Sequence, residues 1–199
     1  MNPEPVKPVN RPAVFLDRDG TIIDEVGYLE TIDRIVWFPW SVDAIRALNR
    51  AGFAVVVITN QSGVARGRFS ETMVGEVHRA IDARLIAGNA HIDAYYYCPH
   101  HPDGAVLEYA CVCDCRKPGR GLVDRAANDL SLDPTRSFVV GDRWLDIGLA
   151  RAIGARGILV RTGVGDEQAS QPVDDLRADA TVDNLAAAAS WILTHVDRT

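Results

Sequence analysis

Five short apolar runs recur along the chain, at residues 13–16, 54–58, 94–97, 137–140 and 157–160, each of strand length and rich in Val, Ile or aromatic residues. They read as buried strands. Between most of them lie helical patterns: Val42, Ile45 and Leu48 after a Ser41 cap; Val74, Val77, Ile81 and Leu85 after Ser70; Leu122, Ala126 and Leu130; Trp144, Ile147 and Ile153; and Leu185, Ala188 and Ile192 after Asp183. Strands alternating with helices predict an α/β fold, a doubly wound parallel sheet with helices on both faces. In such a sheet, ligands sit beyond the carboxyl ends of the strands. The polar residues that follow each strand are therefore the ones to inspect.

Two connections are too long to be simple links, 18–40 and 99–121, and both are candidate functional loops. No composition shift marks a second folding unit. We expect a flexible segment over 1–12 and one domain over 13–199 without a large cap. A domain of this size holds a core without disulfides, which frees its four cysteines for other work. No apolar run approaches the ~20 residues that span a bilayer, and the start is polar and proline-rich, so a cytoplasmic location is expected. A net charge of −6 opposes non-specific attraction to nucleic acid or an anionic membrane. With no apolar stripe left over, monomer is the default.

Four polar clusters follow the strands or end a loop: 17–21 (Asp-Arg-Asp-Gly-Thr), 59–63 (Thr-Asn-Gln-Ser-Gly), Arg116-Lys117-Pro118, and 141–146 (Gly-Asp-Arg-Trp-Leu-Asp). A parallel sheet brings all four to one edge. There Asp17, Asp19 and Asp142, with Asp146 behind, would repel one another unless a hard cation sat among them. A few carboxylates with water and phosphate oxygens is how Mg²⁺ is held. The Thr59 hydroxyl, backbone N–H groups of a helix start near Asn60, Gln61 and Ser62, and the Lys117 ammonium supply donors for a phosphoryl group. This inventory suits phosphoryl transfer through a carboxylate nucleophile. One Asp-x-Asp alone is commonly a turn or a helix cap. Four clusters in order are harder to dismiss.

Cys98-x-His100 and Cys113-x-Cys115 give three thiolates and one imidazole, a closed tetrahedral set for structural Zn²⁺. Zinc would clip the loop over about 98–116 and hold Arg116 and Lys117, directly after the last ligand, over the site. Cys111 and His101 are near misses, and Cys111 is assigned to packing or a free thiol. His78 and His91 read as surface or core residues rather than ligands.

The four clusters resemble the motifs of the haloacid-dehalogenase-like (HAD) phosphatases, a Rossmann-like fold, and their spacing resembles the capless members. The resemblance implies that Asp17 is a nucleophile forming an aspartyl-phosphate. Asp19 would be the acid that protonates the leaving oxygen and then the base that activates water. It further implies that Asp17, Asp142 and the Asp19 carbonyl hold Mg²⁺, with Asp146 one shell out and Arg143 beside the site, while Thr59 and Lys117 steady the phosphoryl group. Within that family, residues 59–67, 96–102 and 113–118 resemble the zinc-bearing branch that acts on heptose bisphosphate or histidinol phosphate; the likeness runs over about 13–162. The long 102–112 segment favours the heptose bisphosphate side. Glu25, Val26, Gly27, Tyr28 and Arg116 would then touch the sugar and its distant phosphate. After Pro118 the chain departs from the branch, with Gly119-Arg120-Gly121-Leu122 where a Pro-Gly-Met-like helix start is expected. Two rivals remain: a phosphoacceptor receiver domain, whose acceptor Asp comes from a middle strand, and a zinc module for nucleic acid, which wants a basic surface.

Overall fold

The computed structural model describes residues 10–196. The flexible segment expected over 1–12 lies, up to residue 9, outside the described residues; Arg11 pairs with Leu132 in an isolated bridge. Six strands form one parallel sheet: β1 (Ala13–Leu16), β2 (Ala54–Asn60), β3 (Ala94–Cys98), β4 (Phe138–Gly141), β5 (Arg156–Val160) and β6 (Ala180–Val182), in the order β3-β2-β1-β4-β5-β6. β1 therefore lies inside the sheet, with Phe15 paired to Val56 of β2 on one side and Val139 of β4 on the other.

Successive side chains of a strand point to opposite faces, and both faces here are buried, which is why the strands read as continuous apolar runs. Val14, Leu16, Val55 and Val57 pack under α1 (Ser41–Arg50), α2 (Glu71–Ala87) and α6 (Leu185–His195). Ala13, Phe15, Val56 and Ile58 pack under α3 (Gly121–Leu130) and α4 (Trp144–Ile153). The doubly wound, two-faced architecture is the one expected. The long connections after β1 and β3 carry only single 3₁₀ turns, Ile32–Arg34 and Leu107–Tyr109, so neither forms a cap.

Several local expectations need correction. Thr59 and Asn60 end β2 rather than follow it. Residues 61–67 wind as turns, and α2 begins only at Glu71, so no helix start stands at Asn60, Gln61 and Ser62. Ser70 caps α2 as expected, its side chain accepting from the Met73 N–H, but Ser41 is the first residue of α1, and Asn184, not Asp183, caps α6. The sequence reading missed α5 (Gly165–Ser170) and the edge strand β6.

Candidate active site

The carboxyl ends of β1, β2 and β4, together with the ends of both long loops, surround a cleft of about 410 Å³. Asp17 enters it directly after β1, its own N–H donating to Val140 of β4. One oxygen of Asp17 accepts from the Arg18 N–H at 2.7 Å; the other meets Lys117 Nζ at 2.9 Å. Lys117 is buried and also donates to Asp146 at 2.6 Å. Burial alone would strip the lysine of its proton, but Asp146 and Asp17 outweigh it and hold Lys117 above the ordinary lysine range. It is a fixed cation at the floor of the cleft.

Asp142 is fully buried. Its Oδ2 accepts from the Val164 N–H at 3.0 Å, while its Oδ1 has no hydrogen-bond partner among the described residues. Burial and the neighbouring Asp17 push Asp142 up to about 8. A buried carboxyl so raised, clustered with Asp17 and Asp146 and with an oxygen that accepts no hydrogen bond and has only Arg143 Nε 3.7 Å away, fits a cation ligand. Asp146 spends both oxygens on the protein, Oδ1 on Lys117 and Oδ2 on the Arg143 N–H. This suits its place one shell behind.

The second cluster lies at the end of β3 and in the loop that follows it. Cys98, His100, Cys113 and Cys115 bring one ligand atom each to within 4.8 Å of one another. The Cys115 sulfur lies 3.2 Å from that of Cys98, 3.1 Å from that of Cys113 and 3.2 Å from His100 Nδ1. Around a tetrahedral zinc with bonds of about 2.3 Å, sulfurs sit about 3.8 Å apart, so a slight expansion seats the ion. Burial and the Cys115 thiol push Cys98 up, which is the cost of crowding thiols that no cation neutralises. His101 and Cys111 stay outside this set: His101 faces Arg66 at 3.1 Å, and Cys111 is exposed.

Two family models match the chain, polynucleotide kinase 3 phosphatase over residues 13–147 and HAD-hydrolase-like over 114–188. A D-glycero-beta-D-manno-heptose-1,7-bisphosphate 7-phosphatase of Escherichia coli (strain K12) is 46% identical over 154 residues, 76% of this chain and 80% of the relative. A D-glycero-D-manno-heptose-1,7-bisphosphate 7-phosphatase of Thermosynechococcus vestitus is 43% identical over 197 residues, covering 94% of this chain and 97% of the relative. The chain belongs to the heptose-bisphosphate phosphatase family of HAD-like hydrolases. The fold agrees: the crystal structure of the D,D-heptose 1,7-bisphosphate phosphatase of B. bronchiseptica, complexed with magnesium and phosphate, superposes with a TM-score of 0.81. That match is at 32% identity and covers 92% of this chain and 98% of that one. The chain is a phosphatase, and the receiver-domain reading falls away.

As a heptose-bisphosphate phosphatase family member, it places the remaining expected residues unevenly. Glu25, Gly27, Tyr28, Asn60, Gln61, Ser62, Arg116 and Arg143 line the cleft, as do Asp19 and Thr59. Val26 does not; its side chain packs on the core beneath α1, and its carbonyl accepts from Arg34. Asn60 clasps the loop end instead of reaching into the cleft, its amide oxygen accepting from the Lys117 N–H at 3.0 Å and its amide nitrogen donating to the Lys117 carbonyl at 3.3 Å. The Gln61 N–H is spent on the Cys98 carbonyl. Arg143 reaches across to Glu25 at 3.0 Å, joining the first loop to the segment after β4. Arg116 donates to the His100 carbonyl and faces the cleft.

Sequence reasoning missed the loop after β5. The Thr162 hydroxyl donates to the Gly20 carbonyl at 2.6 Å, and Val164 supplies the N–H that holds Asp142. Gly163 between them has φ +60°, and a Cβ there would stand 2.3 Å from Asp142 Oδ2 and 2.5 Å from Gly20 Cα. Only its missing side chain could have flagged it. Arg18, passed over as a spacer between the two aspartates, is buried and grips Asp19. Among the described residues, no helix is long and apolar enough to cross a membrane.

Proposed function

We propose that the chain removes the 7-phosphate of D-glycero-D-manno-heptose 1,7-bisphosphate through an aspartyl-phosphate on Asp17. The observation that carries this is the buried Lys117 bound to Asp17, beside an Asp142 oxygen that accepts no hydrogen bond from the described residues, at the sheet edge where a phosphoryl group would enter. Mg²⁺ held by Asp17, Asp142 and the Asp19 carbonyl supplies positive charge against the phosphoryl oxygens. An Asp17 oxygen attacks phosphorus in line, the bond from phosphorus to the C7 oxygen breaks, and Asp19 gives its proton to that oxygen. Asp19, now a carboxylate, takes a proton from water as the water attacks phosphorus; the bond to Asp17 breaks and inorganic phosphate leaves.

The Thr59 hydroxyl oxygen accepts from Gln61 at 2.9 Å, which leaves its hydrogen for a phosphoryl oxygen. Lys117 holds the neighbouring charge. Arg116, with a planar fork able to grip two oxygens, suits the distant 1-phosphate, and Glu25, Gly27 and Tyr28 form the sugar wall. Zn²⁺ on Cys98, His100, Cys113 and Cys115 has a structural role, fixing the loop that ends in Arg116 and Lys117. Residues 13–199 act as one catalytic unit, a cytoplasmic monomer on this reading. The charge of −6 speaks against a nucleic-acid end as substrate.

The test is Mg²⁺-dependent phosphate release from both heptose 1,7-bisphosphate anomers, histidinol phosphate and a 3′-phosphorylated DNA end, with the sugar product identified by ³¹P NMR. We expect at least a hundredfold preference in kcat/KM for a heptose anomer, heptose 1-phosphate as product, and no phosphoenzyme in Asp17→Asn. A preference for histidinol phosphate or DNA overturns the substrate, and normal phosphoenzyme in Asp17→Asn overturns the nucleophile.

A further inference from the structure

Arg18 is 2% exposed, the largest of the fully buried side chains, and a buried guanidinium requires a partner. Its partner is Asp19. Arg18 Nε donates to Asp19 Oδ1 at 3.0 Å and its NH2 nitrogen to Oδ2 at 2.7 Å, the parallel two-bond fork. The same NH2 nitrogen donates to Gln61 Oε1 at 3.0 Å, and Gln61 Nε2 returns a bond to Asp19 Oδ2 at 2.9 Å. Gln61, 3% exposed, is itself tied to Thr59. The other terminal nitrogen of Arg18, NH1, is buried and has no hydrogen-bond partner among the described residues.

A carboxylate offers two lone pairs on each oxygen. Oδ2 of Asp19 accepts from both Arg18 and Gln61, so it is full; Oδ1 accepts only Arg18 Nε. One lone pair therefore remains, on Oδ1, and Asp19 lines the cleft. His78 on α2 offers no competing cation: burial first, and then the charge of Arg18, hold it down at about 3.

We infer that Arg18, braced by Gln61, is a positioning residue that locks the Asp19 carboxyl in one orientation and leaves Oδ1 as the atom that gives and takes the proton. The inference rests on the acid and base role proposed above for Asp19. Removing the fork leaves Asp19 able to hold a proton but free to turn, which costs the step that needs proton delivery. A step whose leaving group departs unprotonated is spared.

The experiment follows phosphoenzyme formation in single turnover at saturating Mg²⁺, with heptose 1,7-bisphosphate and with p-nitrophenyl phosphate. The sugar leaves as a strongly basic alkoxide and needs the proton, whereas nitrophenolate does not. For Arg18→Met we expect a loss of about 100-fold with the sugar substrate and under fivefold with the aryl phosphate, in line with what general acids contribute. Arg18→Lys, which keeps the charge without the fork, should fall between. Should Arg18→Met fail to fold, Arg18→Gln, which keeps a single donor in place of the fork, should show the same selective loss at smaller size.

Equal losses on both substrates would mean a merely structural role and would overturn the inference, as would no loss on either. Asp19→Asn separates the two readings. Selective loss in Asp19→Asn without selective loss in the Arg18 variants refutes the positioning role alone. Equal loss on both substrates in Asp19→Asn refutes the acid role and the inference with it.

Discussion

The two clusters of metal-ligating groups differ in how they are built. The Cys/His cluster draws all four of its groups from one short stretch of chain and brings them within 4.8 Å of one another, a set that would fill a closed tetrahedron around zinc. The Asp cluster draws on residues 17, 142 and 146, brought together only when β1 and β4 pair, and it leaves Asp142 Oδ1 with no hydrogen bond among the described residues, only Arg143 Nε 3.7 Å away. Closure suits a clip that never reacts. Incompleteness suits a site that must accept a substrate.

Asp142→Asn offers the sharpest break between the two. It should lower kcat/KM by about 1,000-fold or more and abolish Mg²⁺ binding by calorimetry, while zinc content measured by mass spectrometry stays at one per chain. It should also raise the melting temperature of the Mg²⁺-free protein at pH 8, because it removes a buried carboxylate whose Oδ1 no hydrogen bond satisfies. A fall in stability would show that the Asp cluster is structural as well.

Cys113→Ser reverses the pattern. Losing the clip should free Arg116 and Lys117 and cost about 100-fold in activity together with several degrees of melting temperature, since structural zinc contributes directly to folding. Hydrogen exchange should quicken in 99–120 and not in β1. Unchanged activity would show that Asn60, which clasps Lys117 from β2, positions the loop end without the metal.

pH should separate the clusters next. Asp142 moves from 3.8 to about 8 in the metal-free fold, so the folded chain takes up a proton that the unfolded chain releases. That stabilisation is complete at low pH and is lost as pH rises through about 8. Mg²⁺ must displace the same proton, so its affinity should rise by about tenfold per pH unit below pH 8 and level off above. The melting-temperature gain from Mg²⁺ should grow over the same range. A flat profile in calorimetry between pH 6 and 8 would mean that Asp142 is already ionised without the metal.

Gly163→Ala makes the smallest change, replacing no ligand. Its methyl group would press on Asp142 Oδ2 from a backbone that disfavours side chains. Mg²⁺ affinity should weaken by about tenfold with zinc retained, measured by calorimetry on the zinc-loaded protein. Equal affinity would show that the Gly20 and Gly163 loops can part without moving Asp142.

This contrast also explains what was legible in the sequence. The Cys/His cluster could be read from spacing alone, because its ligands are neighbours along the chain. The Asp cluster could be read only by assuming the sheet, and that worked because β1, β2 and β4 announce themselves as apolar runs. β6 did not: Ala180–Val182 is three residues long, at an edge, and only half shielded. Nor did α5, whose Gly-Asp-Glu-Gln-Ala-Ser carries no apolar period. Thr162 and Val164 act through a hydroxyl and a backbone N–H aimed by the turn, and no residue type signals that. Arg18 was hidden for the opposite reason: charged side chains are mostly exposed, and only the fold shows that this one is buried against Asp19.

The bond from Thr162 to Gly20 joins positions 142 residues apart. The turn that steadies the Gly20 backbone and Asp142 is thus remote along the chain from the strand whose end it supports. A cut between Asp146 and Thr162 would therefore keep Asp17, Asp19, Asp142 and Asp146 on one fragment and yet take from Gly20 and Asp142 the groups that hold them.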